Sequence, residues 1–303
     1  MKILIVGLVN NPQLLRVKEE GEKRGHQVDG CYASDLIIKA STDSFNVLFK
    51  SETLKPTTYN LIYLWSVGKR RWEWYTAMHF LNKNYKTVIV DSKVIDPTYN
   101  YYLSSASDFL KQTESLLPYP KSALIFSNKS INYVIENFKF PLIVKISEGR
   151  QGKGVFKVDS REEIDTKVSE LLEVSPSVIL REFIPNDGDI RIFTVGYKAI
   201  GAMKRTPTKE GEFRSNISRG GRGENFDLAG NPEVKEIAEK LSEITRTEIA
   251  GVDIIINKDT GKPYILEINP GPQFTGFEKY TGINAAEEII KYFEELFAKK
   301  QSG

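Results

Sequence analysis

The residues with the most chemistry in them lie in GVDIIINKDTGKPYILEINPGP, 251–272. Two β-rich runs, 252–257 and 263–268, flank Lys258, Asp259, Thr260, Gly261 and Lys262. If the loop is Asp259-Thr260-Gly261, with Gly261 at the positive-φ position of a three-residue hairpin, opposed residues carry numbers that add to a constant. Asp253 then faces Glu267. Like charges directly across a strand pair are normally avoided. At ~5 Å and an effective dielectric of ~20 they repel by about 3 kcal/mol, so a site that keeps both ionised needs a cation. Asn269, two residues beyond Glu267, projects from the same face and adds a neutral oxygen. Two carboxylates and a carboxamide, with no His or Cys, form a hard-oxygen set that suits Mg²⁺ or Mn²⁺. A solvent-exposed acidic hairpin with water between the carboxylates is the other reading this stretch leaves open.

Three further groups could carry chemistry. Glu148-Gly149-Arg150-Gln151-Gly152-Lys153-Gly154 joins two strands and lacks the Ser or Thr and the following helix of a Walker A loop. Its glycines would let backbone N–H groups approach phosphate oxygens, and Lys145 at the end of the preceding strand would add a point charge. At 178–185, VILREFIP reads as a buried strand passing from one lobe to the next; its backbone suits an adenine edge, with Glu182 accepting from the amino group and Asp189 suited to a ribose. Each of these has an ordinary reading as a boundary charge. Arg191, Lys204, Arg205, Arg214, Arg219 and Arg222, with Asn216 among them, would neutralise a triphosphate and a carboxylate if they converge, and form a solvated face if they do not.

The elements that must position these groups follow from periodicity. The run 2–6 is an all-apolar strand after its lysine, followed by Asn11 as N-cap, Pro12 at the first helical position and a Gly25 stop. Strands near 27–32, 60–65 and 87–91, with a helix over 71–82, predict a small α/β domain at 1–95. No second or third glycine follows Gly7 at dinucleotide-binding spacing, so that fingerprint fails. KRRWEWY, 69–75, reads as a helix start packing Trp72 and Trp74 rather than a nucleic-acid face, and lies where substrate contact is open to it. Beyond a helix at 104–117, stopped by Pro118 and Pro120, strands at 123–126, 142–146, 155–158 and 178–182 with helices at 129–138 and 161–172 predict a central lobe, 96–184. Strands at 190–195 and 199–203, an irregular segment 206–230, a helix at 232–244, the hairpin and a last helix at 285–298 make a third lobe, 185–303. Residues 212–230 are expected to form a mobile loop.

The 303 residues suit two or three packed lobes. Lys plus Arg total 42 and Asp plus Glu 40, for a net charge of +2, which argues against a dedicated nucleic-acid binder. Cys31 is the sole cysteine, so no intrachain disulfide forms, and with two histidines a Cys/His zinc site is not expected. The apolar start MKILIVGLV is too short for a signal peptide, and no 18-residue apolar run exists, so no membrane span is expected and the cytoplasm is the default. A homodimer or homotetramer stays open.

KISEGRQGKGV, LREFIP, DIRIF, EFRSNISRGG and GVDIIIN…LEINPGPQFTGFE, in that order over 142 to about 293, closely resemble the ATP-grasp ligases and, within them, the RimK-like group. The resemblance implies an α/β ATP-grasp fold of α+β lobes behind a Rossmann-like N-terminal domain, with a nucleotide between two β-rich lobes. It implies Lys145, Gln151 and Gly152 on the phosphates, Glu182, Phe183 and Ile184 at the adenine, Asp189 at the ribose, and Asp253, Glu267 and Asn269 on two Mg²⁺ or Mn²⁺ ions. Arg214 and Asn216 would close on nucleotide and substrate, and Arg191 and Arg205 complete the catalytic set, Arg205 being chosen for the transferring phosphoryl group. The implied activity is an ATP-dependent carboxylate–amine ligase working through an acyl phosphate. It would add an amino acid such as glutamate to a protein C-terminus, a peptide or a small-molecule carboxylate; a non-catalytic nucleotide- or peptide-binding module is the alternative. One departure stands out: family members carry an Asp-Lys pair where this chain has Asp108-Phe109, with the next lysine at Lys111.

Overall fold

The computed structural model describes residues 1–49, 56–96, 105–147, 154–208 and 221–302. Strand β1 (Lys2–Val6) is buried from Ile3 onward and pairs in parallel with β2 (Gln27–Cys31) and β5 (Leu61–Leu64). Adding β6 (Val88–Val90) gives a parallel sheet of order β2-β1-β5-β6. Helix α1 (Pro12–Lys23) starts as its sequence predicts: the Asn11 side chain accepts from Gln13 N, and Pro12 occupies the first helical position. Helix α2 (Arg71–Tyr85) buries Trp74 but leaves Trp72 at 50% exposure, so only one of the two tryptophans expected to pack does so. A hairpin of β3 (Leu36–Ser41) and β4 (Ser44–Phe49) was not expected. The side chains of β3 are almost all exposed, so it lacks the in-and-out alternation that marks a strand in a sequence.

The second sheet, order β7-β10-β8-β9, comprises β7 (Ser122–Ile125), β8 (Leu142–Ile146), β9 (Val155–Val158) and β10 (Val178–Glu182). One face buries Leu142, Val144, Val158, Val178 and Leu180 against Ile164, Val168 and Leu171 of α5 (Arg161–Val174). Strand alternation puts Lys145, Ile179 and Arg181 on the other face. Helix α3 (Ser105–Glu114) precedes this sheet, and the helix expected over 129–138 shrinks to α4 (Ile131–Ile135) after a 3₁₀ turn.

The third sheet is antiparallel, order β13-β12-β11-β14-β15, built from β11 (Asp189–Val195), β12 (Lys198–Thr206), β13 (Arg222–Phe226), β14 (Ile249–Ile256) and β15 (Pro263–Pro270). Edge strand β13 corrects the irregular reading of 206–230, and the expected loop residues 212–220 lie outside the described residues. Ile190, Ile192, Ala202, Val252, Ile254 and Ile265 pack under α6 (Pro232–Ile244). On the opposite face Phe193, Val195, Met203 and Ile249 share a core with Ile3, Ile5 and Tyr63 of the parallel sheet, through Phe274, Phe277 of α7 (Thr275–Thr281) and Phe293 of α8 (Ala285–Ser302). The same junction carries a reciprocal clasp. Asp91 accepts from Glu248 N at 2.7 Å, and the Glu248 carboxylate accepts from Asp91 N at 3.0 Å and Ser92 N at 2.9 Å. No helix among the described residues is long and apolar enough to cross a membrane.

Candidate functional site

Asp253 does face Glu267, but by a different route from the one the turn suggested. Gly261 has φ +72°, as expected, yet four residues, 258–261, lie between Asn257 and Lys262, whose backbones close the turn at 2.9 Å. The pairs nearest the turn run from Ile256 with Pro263 to Ile254 with Ile265; then the register shifts, and Asp253 meets Glu267. Leu266 is the extra residue of a β-bulge. Its effect is large because side chains alternate with period two. Ile265 and Ile268 both pack toward α6, while Glu267 and Asn269 come out on the opposite face beside Asp253.

That face carries a network of charges. Arg191 is Asp253's partner on β11 and donates to it twice, Nε to Oδ1 at 2.7 Å and Nη2 to Oδ2 at 2.6 Å. Arg205, on β12, donates to both oxygens of Asp189 at 2.6 and 2.5 Å, and its Nη2 also lies 3.0 Å from Asp253 Oδ2. Bidentate forks of this kind are the strong form of charge-assisted hydrogen bond. Burial pushes the Asp253 carboxyl up, but Arg191 and Arg205 outweigh it and hold it down at about 2. Burial dominates at Asp189, which is pushed up to about 6 against the pull of Arg205. The cation that the opposed carboxylates call for is therefore already supplied within the sheet, which corrects the inference that their repulsion by itself demands a metal. Arg205 is buried behind its two carboxylates at 3% side-chain exposure, whereas Arg191, at 14%, borders solvent. Both oxygens of Asp189, expected at a ribose, are engaged by Arg205.

The hard-oxygen donors themselves are together. Asn269 Nδ2 lies 3.1 Å from Glu267 Oε1 and 3.3 Å from Asp253 Oδ2. Glu267 is exposed, so two carboxylates and a carboxamide lie within one another's reach at an accessible edge. This donor set fits a hard divalent cation; direct ligation by Asp253 would have to share its oxygens with Arg191 or Arg205.

Lys145 is half-buried on the facing side of the second sheet. Burial, then Arg181, lowers its ammonium to about 8, while Glu267, Asp108 and Asp253 pull the other way, so Lys145 stands within charge range of the carboxylate pair. Burial likewise raises Asp108 against Lys111, Lys93 and Lys145. Burial lowers Lys111 against the pull of Asp108. Where the family's lysine would follow Asp108, Phe109 instead stacks on Tyr119 at 6.2 Å.

At the strand passing between lobes, Glu182 is exposed, Ile184 is buried, and the Lys157 ammonium sits 4.9 Å over the Phe183 ring. Part of this backbone is already bonded: Glu182 N donates to Lys121 O at 2.8 Å, and Ile184 O accepts from Asn186 Nδ2 at 2.7 Å. Of the basic group, Arg191 and Arg205 share the Asp253 face, while alternation turns Lys204 and Arg222 to the α6 side, so the six do not all converge. Gln151, Gly152, Arg214, Asn216 and Arg219 lie outside the described residues.

Sequence reasoning passed over Arg181. It is 6% exposed, and it donates from Nη1 to Leu266 O at 2.9 Å and from Nε to Ser122 Oγ at 3.0 Å. A charged residue directly after three apolar ones in a strand read as buried, VILRE, was the signal available.

Comparison with known proteins adds four observations. A family model described as a RimK-like ATP-grasp domain matches residues 103–293. A "Probable alpha-L-glutamate ligase" of Legionella pneumophila is 38% identical over 157 residues, covering 51% of this chain and 50% of the relative, so the match spans about half the relative's length. A protein of the same description from Vibrio atlanticus is 29% identical over 287 residues, covering 92% and 90%. Among solved structures, ATP-grasp ligase PsnB complexed with minimal precursor, Mg and ADP superposes with TM-score 0.69 at 17% identity, covering 98% of this chain and 97% of that one.

Proposed function

Because the chain belongs to the RimK-like ATP-grasp family, we propose that it is an ATP-dependent carboxylate–amine ligase that joins an amino acid such as glutamate to a carboxylate of a small molecule, a peptide or a protein C-terminus. The observation that carries this reading is the convergence of Asp253, Glu267 and Asn269 on one accessible sheet face, with the Lys145 ammonium within charge range of both carboxylates. The relatives described as glutamate ligases, and a neighbour solved with a precursor, Mg and ADP, support the substrate and cofactor classes. Residues 1–95, 96–184 and 185–303 serve as N-terminal, central and C-terminal units, in keeping with a parallel sheet and a two-stranded hairpin in the first and one sheet in each of the others.

The reaction needs no side-chain nucleophile. A substrate carboxylate oxygen attacks the γ-phosphorus of ATP; a P–O bond forms to the carboxylate as the bond to the β-phosphate oxygen breaks and ADP leaves. The amine nitrogen then attacks the acyl carbon, the C–N bond forms, inorganic phosphate departs, and the nitrogen gives up a proton. Positioning and charge neutralisation supply the rate. Mg²⁺ or Mn²⁺, one ion or two, bound by Glu267 and Asn269 and shared with Asp253, would neutralise phosphate charge when present.

Within the chain, Lys145, with Gln151 and Gly152, binds the phosphates, and Glu182, Phe183 and Ile184 border the adenine. Arg191, bordering solvent, faces the transferring phosphoryl group. Arg205, anchored by Asp189, acts from behind to hold Asp253 ionised and oriented, and Arg214 and Asn216 complete the substrate contacts. The test is ADP release, followed with Mg-ATP and each amino acid, together with mass spectrometry of the extended product. Release that depends on both a carboxylate and an amine supports ligation. Release with the carboxylate alone would indicate a kinase, and nucleotide binding without turnover of any pair would indicate a binding module.

A further inference from the structure

We propose that Arg181 is a positioning residue for the Asp253–Glu267 pair, clamping the one-residue bulge that turns Glu267 onto the face of Asp253. Only the metal-binding arm of its test rests on the ligase reading.

Three observations carry it. First, β15 is an edge strand of the five-stranded sheet, so half of its backbone groups have no ladder partner within that sheet. At the bulge these groups are taken up by the segment before β7 and by β10: Ile265 N donates to Pro118 O at 2.9 Å, and Leu266 O accepts from Arg181 Nη1 at 2.9 Å. Secondly, the bulge decides where Glu267 points. Continuing the register of Ile254 with Ile265 without the extra residue would set Glu267 opposite Val252, whose side chain lies in the apolar core under α6. Thirdly, Arg181 is an unusual residue to bury for packing alone. Among the described residues its guanidinium donates to one hydroxyl and one carbonyl, and no carboxylate bonds to it. A buried cation held this way is costly unless its hydrogen bonds fix something. Its backbone is set by pairing with Ser122 and Ile143 on its two neighbouring strands, so the side chain reaches out from a strand that is itself central in its sheet.

The geometry thus runs from the second sheet, through one carbonyl, to the orientation of a carboxylate in the third. Arg181 touches no reacting atom in this scheme; it sets where Glu267 is offered.

The test compares the wild-type chain with Arg181→Met, Arg181→Lys and Ser122→Ala, the last of which loosens the guanidinium without removing its charge. In the metal-free protein, hydrogen exchange over residues 263–270 is expected to accelerate about tenfold in Arg181→Met, two- to threefold in Ser122→Ala, and less in Arg181→Lys than in Arg181→Met. Exchange over Pro232–Ile244 stays at the wild-type rate. Titration of Mn²⁺ in the presence of ADP, followed by electron paramagnetic resonance, is expected to show half-saturation about tenfold higher in Arg181→Met, with partial recovery in Arg181→Lys. Wild-type exchange over 263–270 in both Arg181→Met and Ser122→Ala overturns the clamp. If Arg181→Met does not fold, the Ser122→Ala and Arg181→Lys exchange rates decide it. If wild-type protein takes up no Mn²⁺ with ADP, the ligase reading fails, and the exchange rates still decide whether Arg181 clamps the bulge.

Discussion

Arg205 stands between Asp189 and Asp253, its guanidinium 2.5 Å from an oxygen of the first and 3.0 Å from an oxygen of the second. One buried cation thus serves two buried carboxylates from two strands, and Arg191 closes the set on the solvent side. Breaking a buried pair by removing one partner leaves an uncompensated charge, at about 3–5 kcal/mol. Asp189→Asn is therefore expected to lower the melting temperature by about 6–20 °C, at roughly 2–4 °C per kcal/mol for chains of a few hundred residues. ADP release should fall with it. Thermal unfolding at the wild-type midpoint would show the network to be dispensable.

Glu267 is exposed, and its side chain accepts a hydrogen bond from Asn269. Glu267→Gln is expected to leave stability within about 0.5 kcal/mol and to reduce ADP release by about 10² or more, the scale for losing one preorganised electrostatic contact to a transferring group. Steady-state kinetics with a melting curve separates the two effects. Wild-type turnover in the variant would remove Glu267 from the site.

Metal removal should have the same split. Because Arg191 and Arg205 already neutralise Asp253, folding does not depend on a bound ion. Excess EDTA is expected to abolish ADP release and to leave the nucleotide-free melting temperature within about 1 °C, since only a ligand that binds the native state shifts it. A large fall in melting temperature on chelation would point to a structural metal instead.

Burial, with Arg181 second, lowers the Lys145 ammonium to about 8. The sign follows directly: as pH rises through 8 the lysine loses its proton, and the attraction for phosphate goes with it. For the free protein, kcat/KM for ATP is expected to fall about tenfold per pH unit above that value. Lys145→Arg should hold the plateau to higher pH, because a guanidinium does not titrate there. A wild-type profile that stays flat to about pH 10, near the ordinary lysine value, would show that Lys145 is not the group concerned.

Gly271 has φ +60°, and a Cβ placed on it would lie 2.2 Å from the Trp65 carbonyl oxygen. Both terms penalise any side chain there. Gly271→Ala is expected to cost about 2 kcal/mol or more, the range for a forced backbone conformation with a clash, and to raise the half-saturating ATP concentration as the loop after Asn269 is displaced. Unchanged melting and nucleotide binding would show that the contact gives way freely.

Much of this was legible in the residues alone. The apolar run of β1, the Asn11-Pro12 helix start, strands such as β8, β9 and β10, and helix α6 follow from local pattern: hydrophobic period, caps and breakers are properties of neighbouring residues. The types of Asp253, Glu267 and Asn269 likewise announce hard-oxygen chemistry wherever the chain puts them. Other elements were not legible because their pattern is set from outside. The exposed strand β3 carries little alternation, and β13 is short and preceded by glycines. What only the tertiary structure decided is which charges meet. A turn one residue longer than expected and a bulge at Leu266 cancel to set Glu267 opposite Asp253, and a hairpin sequence does not encode where a bulge will fall. The bulge depends on a carbonyl that finds its donor in Arg181, 85 residues away in sequence. In the same way Arg191 and Arg205, which the sequence offered to phosphates, come to hold Asp253 and Asp189 because strand pairing, a long-range property, makes them neighbours.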